Sequence, residues 1–72
     1  MMKEEREILR KYKIFEKEIT NCALGISLDP NLFVFYYLSP HQPLEPEDAI
    51  ILEKLIRKRA QKIKKLLKSN LL

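Results

Sequence analysis

The sequence predicts an α+β domain, a β-hairpin held between two helices and paired with a second copy. Three observations lead there. Apolar residues recur at helical spacing near both ends of the chain, a middle stretch switches to alternation and aromatics, and Pro-rich punctuation separates that stretch from the last helix. At 72 residues the chain makes one domain, residues 1–72. A chain this short buries only about 60% of its unfolded surface and usually needs a disulfide, a metal or a partner. Cys22 is the only cysteine and His41 the only histidine. Neither an internal disulfide nor a metal site is therefore expected, and a homodimer is the remaining support.

The first helix is read over about residues 2–21. Ile8, Tyr12, Phe15, Ile19 and Cys22 step by four, three, four and three, which places them on one seam. That seam reaches Ile26 if the helix does. Glu7 and Lys11 stand four apart in the favourable order. The seam is expected to pack on the C-terminal helix, with Cys22 buried and inert.

Residues 23–38 are read as the hairpin. Leu24, Ile26 and Leu28 alternate with Gly25 and Ser27, as a half-buried strand does. Asp29-Pro30-Asn31 supplies residues that a type I turn prefers. The run Leu32-Phe33-Val34-Phe35-Tyr36-Tyr37-Leu38 is apolar on both faces and rich in β-forming aromatics. A competing reading makes Asp29 the cap of a short helix with Pro30 in its first turn, giving a three-helix all-α chain. A two-stranded hairpin is marginal alone, so its uncovered face is the main ground for expecting the dimer. Phe33, Phe35, Tyr36 and Tyr37 are the expected protein interface. Phe33, Phe35 and Tyr37 would share a strand face in the manner of a base-stacking platform, but no basic residue interleaves with them.

Residues 39–45 form a linker punctuated by Pro40 and Pro43, with Pro46 just beyond. His41 lies there as an exposed bystander. Glu45 is the expected cap of a helix over about 46–70, Pro46 its first residue, and Leu44 a hydrophobic staple. Glu47 and Asp48 complement the positive end of the helix dipole. Ala49, Leu52, Ile56, Ala60, Ile63 and Leu67 line one face. Arg59 falls at the edge of that face, where it is expected either to snorkel or to pair with an acid of the first helix such as Glu16 or Glu18.

Charge points to a partner. Residues 1–36 carry six basic and six acidic side chains; from residue 37 onward there are eight basic and four acidic, so the net +4 comes entirely from the second half. Glu53 is the only acid after Asp48. Lys54, Arg57, Lys58, Lys62, Lys65 and Lys68 are the expected nucleic-acid-binding residues, acting on phosphates with little base specificity because lysine dominates. The alternatives are a protein-interaction adaptor, inhibitor or assembly subunit whose lysines only solubilise it, and attachment of the basic helix to an anionic membrane surface.

Gly25 is the only glycine, so no Gly-rich phosphate loop exists, and no nucleophile–base pair is evident. No enzyme activity and no cofactor are expected. Leu24-Gly25-Ile26-Ser27 has the form of a helix-turn-helix corner, but Asn21 stands where a small residue is needed and the following segment is not basic. Lys3 opens a charged N-terminus without an apolar core, and no apolar run approaches the roughly 20 residues of a membrane span. A cytoplasmic location is the resulting expectation.

Overall fold

The described residues form three helices and no strand: α1 (Lys3–Tyr12), α2 (Glu16–Leu28) and α3 (Pro46–Leu71). The structure is a computed structural model that describes residues 3–71, with side chains through Ser69. The fold is all-α, which corrects the expected α+β class in two places.

The first correction divides the N-terminal helix. Lys13 adopts a left-handed backbone with φ 55°. The amide of Ile14 donates to Leu9 O at 2.8 Å and that of Lys13 to Arg10 O at 3.2 Å. These are the two crossed bonds of a Schellman helix stop, with Ile14 buried beside Ile8 and Leu9. The break resets the register. Ile14 enters the core at 6% exposure while Phe15, expected on the seam, is 67% exposed. Phe15 becomes the N-cap of α2 with extended backbone, and its amide donates to Glu18 Oε2 at 2.7 Å, the carboxylate half of a capping box. Glu18 Oε1 accepts the Ser39 amide at 3.2 Å, tying this corner to the later loop.

The second correction removes the hairpin. Residues 23–28 continue α2, whose buried face is Ile19, Cys22, Ala23 and Ile26; Leu24 and Leu28 are exposed. The alternation was incidental to a helical seam running on to Ile26. With no first strand, residues 32–38 have no ladder partner, and their backbone groups close local turns instead. Asp29 O accepts from Leu32 N at 3.0 Å, and Asn31 N donates to Asp29 Oδ1 at 3.1 Å, so the expected Asp-Pro turn forms. Two further turns join Tyr36 N to Phe33 O and Leu38 N to Phe35 O, each at 3.0 Å. Val34 is buried, and Leu32, Phe35 and Leu38 pack on the core. Gly25 gives this loop its seat: a Cβ there would lie 2.9 Å from Leu32 Cδ2 and 3.0 Å from Tyr37 Cε2. It sits inside α2, not at a helix-turn-helix corner. The competing reading had the helix count but placed the extra helix after Asp29. The structure obtains it by splitting the N-terminal one.

The third helix starts as expected at Pro46, and Ala49 N donates to Glu45 O at 2.9 Å. Leu44 packs on the core beneath it. Leu52, Leu55, Ile56 and Ala60 are buried against α2 and α1. Ile63 is half-buried, and there the body ends. Leu67, expected on the core face, is 43% exposed and Leu66 65%. A 26-residue helix is about 39 Å long, close to the 41 Å longest extent of the molecule, so the last turns of α3 overhang. Since residues 23–38 form no strand to stack or pair, the hairpin-based ground for a dimer is lost.

Candidate nucleic-acid interface

The start of α3 is held by a buried tyrosine. The Tyr12 ring is fully buried, and its hydroxyl accepts from Glu45 N–H at 3.0 Å and donates to Asp48 Oδ2 at 2.6 Å. Lys11 Nζ bonds to the same Asp48 oxygen at 3.0 Å and lies 3.3 Å from Glu45 Oε2. The Tyr12 hydroxyl and the Lys11 ammonium hold the Asp48 carboxyl below the usual range; the Asp48 carboxylate, with Glu45, raises the Lys11 pKa. The Tyr12 carbonyl accepts from His41 N–H at 3.2 Å, while the imidazole stays exposed as expected. This junction fixes how α3 leaves the body.

Beyond it, all six expected phosphate contacts lie on exposed positions: Lys54, Arg57, Lys58, Lys62, Lys65 and Lys68. They spread over roughly half of the helix circumference, opposite the buried stripe. Only Arg57 has a carboxylate partner among the described residues, Glu53 at 2.9 Å. Lys64, absent from the expected set, is exposed and equally without a carboxylate partner among the described residues; its place on the same wheel arc is the signal that could have added it. Arg59 turns away, donating to Glu16 Oε2 at 2.8 Å and to Thr20 Oγ1 at 3.3 Å, which selects Glu16 of its two expected partners.

From Lys54 to Lys68 the helix rises about 21 Å, so the six cations are about 4.2 Å apart on average along the axis. The arrangement supplies a band of point charges along the helix. It suits sequence-independent backbone contact better than base reading.

The expected protein interface divides. Phe33, Tyr36 and Tyr37 are exposed, whereas Phe35 is half-buried on the core. The aromatics pair edge-to-face, Phe33 with Phe35 at 5.7 Å and Tyr36 with Tyr37 at 4.9 Å between centroids. They do not form the single strand face a stacking platform requires. Cys22 is buried and free, and burial pushes its thiol up, so it is a poor nucleophile. Among the described residues no group of three or more His, Cys, Asp or Glu is placed to hold a metal, and no helix is long and apolar enough to cross a membrane.

The chain matches no protein-family model, no curated protein and no solved structure.

Proposed function

We propose that this chain is a small non-catalytic accessory or regulatory protein that binds nucleic acid through the basic face of α3. The observation that carries the reading is the row of five exposed lysines, Lys54, Lys58, Lys62, Lys65 and Lys68, without a carboxylate partner among the described residues. Unpaired like charges along one face repel one another, and a polyanion relieves that repulsion while releasing its counterions. Arg57 joins them once it exchanges Glu53 for phosphate. Affinity is set by ion release, so DNA and RNA are bound with little sequence preference.

The test is fluorescence anisotropy with random duplex and single-stranded DNA and RNA. Six phosphate contacts give a slope of log K against log salt of roughly −5 on duplex DNA. Lys58→Glu, Lys62→Glu and Lys65→Glu together abolish binding while circular dichroism is unchanged. No retention of any nucleic acid at about 50 mM salt, where such contacts are strong, removes the reading.

The second reading is a protein-binding adaptor, favoured by the exposure of Phe33, Tyr36 and Tyr37, the last of which lines a shallow pocket with Leu24 and Leu28. Under it the lysine substitutions leave partner binding intact and Tyr36→Ala with Tyr37→Ala removes it.

A further inference from the structure

At the opposite end of the rod from the α3 overhang, a groove of about 300 Å³ lies between α1 and the first turns of α3. Its apolar lining is Ile8 and Ile51, and Glu4, Glu7 and Glu47 stand around it. Those three carboxylates have no ion-pair partner among the described residues; Lys11 and Asp48, at the same groove, satisfy each other. The overhang carries the complementary set. Lys62, Lys65 and Leu66 repeat the spacing of Glu4, Glu7 and Ile8, with charges at i and i+3 and an aliphatic residue at i+4. At that spacing each trio shares one helix face. Leu66 is 65% exposed and Lys62 and Lys65 are unpaired.

We infer that the groove receives the α3 overhang of a second copy of this chain. When the overhang runs in the same direction as α1, Lys62 meets Glu4, Lys65 meets Glu7 and Leu66 reaches the groove floor, where Ile8 is already buried and Ile51 is half-buried. Each copy owns one groove and one overhang, so two reciprocal contacts close a dimer. The inference is independent of the nucleic-acid reading. Unlike a pairing through strands, it needs only helices. The carboxylates and ammonium groups of these contacts start exposed and without ion-pair partners among the described residues, so association removes like-charge repulsion at both ends of the molecule. Salt therefore weakens the dimer. A polyanion competes with it for Lys62 and Lys65.

The test uses two charge-reversed chains. Glu4→Lys with Glu7→Lys gives a chain basic at both ends, and Lys62→Glu with Lys65→Glu gives one acidic at both ends. Sedimentation or light scattering is expected to give the wild-type chain a mass of twice 8.6 kDa at low salt. Each variant alone is monomeric, with unchanged circular dichroism. Mixed one to one, they pair, because both grooves then face overhangs of opposite charge. Nucleic-acid binding separates the two proposals: the Glu4/Glu7 variant loses self-association yet keeps binding. A wild-type chain monomeric at every concentration overturns the inference. So does a dimer indifferent to both pairs of substitutions, or a mixture of the variants that stays monomeric.

Discussion

The hydroxyl of Tyr12 stands between the Glu45 amide and the Asp48 carboxylate, completing from another helix the cap that α3 does not close by itself. In a capping box the N3 carboxylate reaches back to the N-cap amide directly. Here Asp48 occupies N3, and a fully buried phenol relays the contact. Tyr12→Phe keeps the ring and deletes the relay, leaving the Glu45 amide and Asp48 short of a partner. The expected loss is about 1–3 kcal/mol. It is read as an earlier midpoint in urea with an unchanged slope, since the exposed surface on unfolding is the same.

The same junction makes stability depend on pH. The Asp48 carboxyl is held down by the Tyr12 hydroxyl first and Lys11 second. A carboxyl whose folded value lies below its unfolded one, about 3.9 for Asp, contributes stability above that value and loses it as pH falls through the folded value. Wild-type melting temperature should decline along that acid limb. Asp48→Asn should be less stable at neutral pH and show a flatter decline below about pH 4. An acid limb of equal steepness in the two chains would assign it to other carboxylates. Lys11 contributes with the opposite sign, since its raised value gives stability that is present at neutral pH and lost only in strong alkali.

Lys13 holds a left-handed backbone at the α1 stop, where glycine is the usual residue. Lys13→Gly relieves that strain, less the entropy glycine adds to the unfolded chain, and should stabilise by about 0.5–1 kcal/mol. Lys13→Val, branched at Cβ, should destabilise. Thermal melts of the two variants should bracket the wild type.

What the sequence made legible follows from where each signal resides. The start of α3 was readable because Pro46 and the following acids are local chemistry with a fixed meaning at a helix N-terminus. So was the Asp29-Pro30 turn, although the strands expected around it were not there. The stop after Tyr12 was hidden, because its left-handed residue is a lysine and its two crossed bonds leave no compositional trace. Once it was missed, residues 23–28 were free to be read as a strand, and the aromatic run after them acquired a partner it does not have. Propensity then pointed to β where tertiary packing on Gly25 and the α2 core decides for turns. At the candidate site the exposed cationic face could be listed from helical spacing alone. The groove at Glu4, Glu7 and Glu47 could not, since it is made by two helices that lie far apart in the sequence.

The extent of the overhang separates binding from folding along one helix. Leu52 and Ile56 are fully buried, whereas Leu66 and Leu67 are exposed although Leu67 continues the same stripe. Ile56→Ala should cost about 2–5 kcal/mol, because it removes packed methyl groups and leaves a cavity. At protein concentrations too low for association, Leu66→Ala and Leu67→Ala should each change stability by no more than about 0.5 kcal/mol, as surface substitutions do. Urea titrations of the three variants distinguish a free overhang from one that is part of the monomer's core. A loss at Leu66 that grows with protein concentration, while Leu67 stays neutral, would place Leu66 at a contact between copies instead, since only an association-coupled contribution scales with concentration.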